Sequence, residues 1–268
     1  GFYDIKGGFD YACPRRMMRV GAMVVTGFAI AYSTVVFQTI THNRILTPSV
    51  MGLDSMYEVV QTLIFFFAGS ASIWVVNQYL NFTAAIVAMI VFALLLYRTL
   101  FRADKFPIYL LLLIGMIIGT FLGSFVTFLQ VLIDPIEYLS LQSKLFASFT
   151  KIKVELLYIS FAILFVAFAY GYKLISQLDV ASLGRENAIN LGVDYDRLVM
   201  KGLILSAVLI ATATALVGPI TFLGLIVANL AYQFFATYRH SVLLAGAGLI
   251  SVIALVGGQF LVVNIFEM

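Results

Sequence analysis

Ser182-Leu183-Gly184-Arg185-Glu186-Asn187-Ala188-Ile189-Asn190-Leu191-Gly192 is a short polar segment set between two long apolar ones. Ser182 can cap a helix, because a serine hydroxyl accepts from an orphan first-turn N–H. Leu183, Ala188 and Leu191 then lie near one face, and Gly192 suits the left-handed position just past a helix end. The spacing predicts a surface helix of roughly two to three turns. It reads either as a connecting loop with a helical turn or as a grip for another protein, and the rest of the chain must decide.

The flanking composition sets the fold class. The 268 residues are 62% hydrophobic and 11% charged, against about 45–50% and about 25% in soluble domains. Mean hydropathy is +1.05. Apolar runs this numerous and long, each able to cross ~30 Å of hydrocarbon, predict an all-α polytopic membrane bundle. The net charge of +3 is small and its basic residues sit between apolar runs, so no nucleic acid partner is expected. Cys13 is alone, which excludes an intrachain disulfide and a thiolate metal cluster. His42 and His240 are the only histidines, and no metal site is expected.

Moving outward, eight spans are predicted, at about 20–40, 55–69, 73–97, 108–133, 154–175, 198–217, 219–235 and 241–263. The second is short, and Asn77 and Asn81 make the start of the third ragged. Pro48 disfavours helix at Thr47 and ends the break after the first span. Gly115, Gly119 and Gly123 recur every four residues in the fourth span, a small-residue stripe that predicts a tight helix–helix seam. Asp134–Phe149 is too polar to cross and predicts an interfacial helix starting at Asp134-Pro135. No interval is large enough for a soluble domain, so residues 1–268 read as one membrane domain. The chain begins at Gly1 and stops at Met268 just after an apolar run, which predicts further spans beyond both ends.

Loop charges orient the bundle. The side holding residues 182–192 carries Arg44, Arg98, Arg102, Lys105, Lys173, Arg185, Arg197, Lys201 and Arg239, nine basic residues against seven on the other side. Without the Arg15–Arg19 cluster the count is nine to four. The opening segment is then cytoplasmic, and Arg16 and Arg19 are external. Three apart, they share a face of an incipient helix, where they either anchor it at the interface or dock acidic side chains of a partner.

The chemistry is sparse. There is no G-x-x-x-x-G-K-[ST] phosphate loop and no H-E-x-x-H. Polar residues inside the spans are mostly amides, Gln38, Gln61, Gln130, Asn229, Gln233 and Gln259, which either bond helix to helix or line a path. Glu58 is the main carboxylate near a span interior, whereas ion-coupled transporters need paired ionisable groups inside the bundle. The chain reads as a pathway without its own energy source. An autonomous secondary transporter or channel is the alternative.

Several segments together resemble the FecCD-type permeases of ATP-driven (ABC) importers for iron–siderophores and vitamin B12. Gln38 through Asn43 and Pro48 to Gly52 is similar to that family's Q-x(4)-N-P-L-A-x-P-x-x-L-G segment. Leu183-Gly184 through Ala188 to Leu191-Gly192 resembles its G-x-x-x-A-x-x-L-G cytoplasmic stretch. Gly218-Pro219-Ile220-Thr221-Phe222-Leu223-Gly224-Leu225-Ile226-Val227 resembles its G-x-I-x-F-[IL]-G-L-[IV]-V segment, and Arg16-Met17-Met18-Arg19 its R-x-P-R motif. Met18 stands in place of that proline, Ala228-Asn229 in place of Pro-His, Tyr232 in place of Arg, and Gly257–Phe260 where many members carry an acidic residue and Arg. The wording of Thr41–Asp54 and Val227–Ala231 resembles the catecholate, petrobactin- and enterobactin-like subgroup.

The resemblance implies the vitamin B12 permease fold of about ten spans, the first and last lying outside this chain. It implies two permease chains, identical or related, in the bacterial plasma membrane. It implies a binding protein that delivers the ferric siderophore, its glutamates meeting Arg16 and Arg19. It implies an ATPase dimer that uses ATP–Mg and receives the helix carrying Gly184, Arg185, Glu186, Ala188, Leu191 and Gly192. This chain would bind no cofactor. Gln38, Asn43, Pro48, Gly52 and Asn229 are the pathway candidates, and Arg102–Pro107 falls where the family has an inner gate.

Overall fold

A computed structural model of the chain describes residues 9–101, 108–150 and 152–264. The gate segment expected at 102–107 lies outside them. The elements are α1 (Phe9–Thr41), a 3-10 turn (Pro48–Met51), α2 (Leu53–Ala68), α3 (Ile73–Val76), α4 (Gln78–Phe101), α5 (Ile108–Leu132), α6 (Pro135–Leu145), α7 (Val154–Tyr172), α8 (Ile175–Ala181), α9 (Arg185–Asn190), α10 (Tyr195–Val217), α11 (Leu223–Phe234) and α12 (His240–Asn264).

Among the described residues, six helices, within α1, α4, α5, α7, α10 and α12, are long and apolar enough to cross a membrane. The other two expected spans are α2, of 16 residues, and α11, of 12. At 1.5 Å per residue these reach only about 24 and 18 Å. The ragged third span is α3 and α4, separated at Asn77, whose backbone is extended. The first helix starts at Phe9, well before Val20, so Arg16 and Arg19 sit inside α1.

α1 and α10 form the centre, with 72% of their apolar windows buried against 28% for α4, α5 and α7. The outer helices accordingly show large apolar side chains such as Phe121, Phe161 and Phe165 outward, as lipid-facing surfaces require. Small residues bring the central helices together. A Cβ on Gly202 would stand 3.3 Å from Ile40, and Ser206 Oγ donates to the Ser33 carbonyl at 3.1 Å.

Both short helices begin at mid-depth. Gly52, the N-cap of α2, has φ 87°, a left-handed value only glycine adopts without strain. A Cβ there would come within 2.9 Å of Gly119 Cα, eleven residues or about 16 Å along α5. Gly115 meets Met51 in the same way. The predicted seam therefore exists, and it joins α5 to the break between α1 and α2. Gly123 does not share it, because a Cβ there meets nothing within 4 Å. At the other short helix, Gly224 abuts Ile30 and Thr34 in the middle of α1. The two half-helices are tied where they begin. Thr221 Oγ1 donates to Asp54 Oδ2 at 3.0 Å, across 167 positions. Asp54 lies in the first turn of α2, where the helix dipole favours a carboxylate.

The helix expected from Asp134-Pro135 is present as α6 and ends at Leu145, short of Phe149. Asp134 caps α6 by accepting from Ile136 N–H at 2.9 Å, with Pro135 in the first turn. α6 packs against the link between α2 and α3. Glu137 accepts from the Ser70 backbone N–H and hydroxyl at 2.6 and 2.9 Å, and Lys144 Nζ donates to the Val75 carbonyl at 3.1 Å. Partial burial lowers the Lys144 pKa from its ordinary value.

Candidate functional site: an elbow and a polar wall

α8, α9 and their connections form an elbow beyond the bundle. Leu178 and Ala181 of α8 are fully buried in the main core, as is Ala188 of α9. Leu183, Ile189 and Leu191 point outward, 57%, 47% and 63% exposed. The expected face of Leu183, Ala188 and Leu191 is thus split, since Ala188 anchors the helix and the two leucines stand free. α9 is also shorter than its spacing predicted, at six residues. Ser182 does not cap it. Its hydroxyl donates to the Asp179 carbonyl at 2.6 Å, and the N-cap is Gly184 with φ 101°. The end does follow the sequence. Gly192 is left-handed at φ 85°, with Gly192 N–H bonded to the Ile189 carbonyl and Val193 N–H to the Ala188 carbonyl. That pair of bonds is the Schellman closure.

Arg185 reaches Asp196 of α10 at 3.6 Å, with both side chains well exposed. Such a pair contributes about 0–1 kcal/mol, so the elbow's position depends on buried Ala188, Leu178 and Ala181 instead. Glu186 and Asn187 lie on the exposed side.

Two of the five pathway candidates converge on one backbone atom. Gln38 Nε2 and Asn229 Nδ2 both donate to the Arg44 carbonyl, at 2.7 and 3.2 Å. Asn43 Oδ1 accepts from Ile45 N–H at 2.9 Å, and the Arg44 guanidinium sits 4.5 Å over the Tyr232 ring. Pro48 and Gly52 are buried in the turn that follows. These residues shape the segment that runs from the C-terminal end of α1 to the middle of the bundle. Gln61 and Asn81 use the other option open to amides. They exchange two hydrogen bonds, at 3.1 and 3.0 Å, between α2 and α4.

α5 carries a polar stripe that the sequence reading missed. Thr120, Ser124 and Thr127 are exposed on an otherwise apolar surface, and each hydroxyl donates to the carbonyl four residues back. Such self-satisfied hydroxyls make a wall that is wettable yet costs little to dehydrate. Beside it, Glu58, Gly123, Thr127, Gln130 and Gln142 line a cavity of about 270 Å³. The available signal was the i, i+4, i+7 spacing of hydroxyls in an apolar run. Arg16 and Arg19 lie half-buried at the opposite end of α1 from the elbow.

Comparison with known proteins agrees with this architecture. Residues 11–268 match the FecCD transport family. The petrobactin import system permease protein YclO of Bacillus subtilis (strain 168) is 51% identical over 265 residues, 99% of this chain and 84% of that protein. The petrobactin import system permease protein YclN of the same strain is 27% identical, over 80% of this chain and 66% of that protein. A solved inward-facing structure of a metal-chelate type ABC transporter superposes with a TM-score of 0.79 at 26% identity, covering 100% of this chain and 93% of that one.

Proposed function

This chain belongs to the FecCD transport family and is a multi-pass permease of an ABC importer in the plasma membrane, and from that premise we propose that it moves an iron(III)–siderophore of the petrobactin kind inward, driven by a separate ATPase dimer. The cargo reading is supported by the 51% identity to a permease named for petrobactin import. The drive reading is carried by one observation, the elbow. Leu183, Ile189 and Leu191 form an exposed apolar surface outside the bundle, on a support fixed by Ala188. Exposed apolar clusters rimmed by polar residues mark protein contact sites. ATP–Mg is bound and hydrolysed on the partner, and Gly184, Arg185, Glu186, Ala188, Leu191 and Gly192 form the support and contact it pushes.

The α5 stripe with Glu58 forms the wall of the pathway, and a second permease chain supplies the facing wall. Two unequal permeases of one organism carry the same import description, at 51% and 27% identity to this chain. That pairing supports a related chain, rather than a copy, as the second wall. Gln38, Asn43, Pro48, Gly52 and Asn229 hold the re-entrant segment that shapes the pathway's inner half. Arg16 and Arg19 face a siderophore-binding protein outside.

The test is reconstitution of this chain with its ATPase, its related permease and the binding protein in lipid vesicles, followed by radioiron accumulation from ferric petrobactin. ATP-dependent accumulation is expected. Equal accumulation without the ATPase would establish the autonomous transporter instead. In the same system, Arg16→Glu with Arg19→Glu weakens capture of the binding protein, most at low salt where screening is least. Unchanged affinity in that variant removes the docking role.

A further inference from the structure

The elbow is joined to the bundle by a polar clamp built on Asp179 of α8. One oxygen, Asp179 Oδ1, accepts from the backbone N–H of His240 at 2.7 Å and faces His240 Nδ1 at 2.7 Å. It therefore caps α12 from another helix while fixing the His240 ring. The ring is 3% exposed, and its other nitrogen, Nε2, lies 2.7 Å from Thr39 Oγ1 in the last turns of α1. One side chain of the segment leading into α9 thus grips the start of α12 directly and the end of α1 through a histidine.

Proton positions follow from the partners. Nδ1 carries a proton, because a carboxylate oxygen faces it. Thr39 has one hydroxyl proton and two acceptors in reach, His240 Nε2 and the Val35 carbonyl at 2.9 Å. Either the hydroxyl donates to a neutral ring, or it donates to Val35 and accepts from a charged one. The link from Asp179 to α1 is closed in both arrangements.

The downstream end of the elbow closes on the same turn. Tyr195, the first residue of α10, donates its hydroxyl to the Ile40 carbonyl at 3.2 Å and sits 3.1 Å from His42 Nε2, with the two rings stacked. His42 is itself left-handed at φ 49°, ending α1. The segment from Asp179 to Tyr195 therefore begins and ends on Thr39, Ile40 and His42. The apolar contacts of Leu178 and Ala181 resist separation but not sliding, because dispersion is weakly directional. Hydrogen bonds to a carboxylate are directional and strong.

We propose that Asp179 and His240 are positioning residues that carry displacement of the elbow into α1 and α12, so that the two helices move with α8 and not past it. This rests on the reading of α9 as the ATPase contact. The test measures ATP hydrolysis and radioiron uptake together in the reconstituted complex, for Asp179→Ala, Asp179→Asn, Thr39→Val and Ala188→Trp. Asparagine keeps the acceptor for both His240 protons, and valine keeps the shape of threonine while removing its hydroxyl.

The expected result is that Asp179→Ala and Thr39→Val assemble and hydrolyse ATP at near-normal rates. Their uptake per ATP falls on the order of tenfold, the size of a typical coupling between sites. Asp179→Asn recovers most of it. If Ala188→Trp uncouples while Asp179→Ala and Thr39→Val do not, the clamp inference fails and the ATPase contact stands. If all three stay coupled, both fall. Failure of Asp179→Ala to assemble, with Thr39→Val fully coupled, assigns the clamp to folding alone and overturns the inference.

Discussion

The α5 seam and the elbow are both places where a break between helices meets the bundle, and they are built in opposite ways. At the seam, Gly115 and Gly119 let the backbone of α5 press on Met51 and Gly52, with no side chain between. At the elbow, helices are tied through Asp179, His240, Thr39 and Tyr195, with directional hydrogen bonds. The seam locks shape and tolerates no added atom. The elbow links parts that can move together. Joints of the first kind set the half-helix geometry, and joints of the second kind suit transmission of force.

The seam is the easier of the two to break. Gly119→Val places two methyl groups where even a Cβ would overlap the Gly52 backbone. Overpacking of this kind costs about 1–3 kcal/mol or more. The expected outcome is a sharp loss of assembled protein, read by size-exclusion yield in mild detergent. Normal yield would mean that α5 does not rest on the turn. A smaller effect on folding, but a large one on work, comes from Ala188→Trp at the elbow. Ala188 is fully buried, so the indole lifts α9 off its support. Uptake per ATP then falls on the order of tenfold while hydrolysis continues; intact uptake would separate α9 from the drive. Glu186→Lys reverses a charge on the exposed side of α9 and is expected to weaken ATPase association by a few-fold, roughly the worth of one rim charge. Association unaffected by salt or by this change would place the contact elsewhere. Smallest is Gly123→Ala, which extends into open space beside Glu58. Its yield should match the wild type, and a loss like that of Gly119→Val would show the stripe to be one uniform seam.

Local patterns in the sequence carried much of this. Composition alone gave the helical membrane bundle, and the four-residue glycine spacing gave the seam, because packing between helices in lipid is governed by small residues. The same spacing could not separate Gly123 from Gly119, since the difference is the 3-10 turn, some seventy positions away, that reaches only as far as Gly119. The left-handed Gly192 was legible, being a local backbone demand. Ser182 was misjudged because Asp179, three residues back, offers its hydroxyl a closer acceptor. α2 showed only as a short span. Its start at mid-depth depends on Gly52 meeting α5 and on Asp54 meeting Thr221 across 167 positions. The clamp left one trace, a histidine at the start of the last apolar run. Its carboxylate lies 61 positions earlier, in a stretch that gives no local reason to pair them.

Coupling depends on where the ATPase touches this chain. A photoreactive side chain at Leu191, 63% exposed on the elbow, and another at Ile136, 77% exposed on α6 at the opposite face, put that to a direct test in the assembled transporter. Illumination is expected to join this chain to the ATPase from position 191 and not from position 136. No ATPase adduct from 191, or an ATPase adduct from 136, would contradict it.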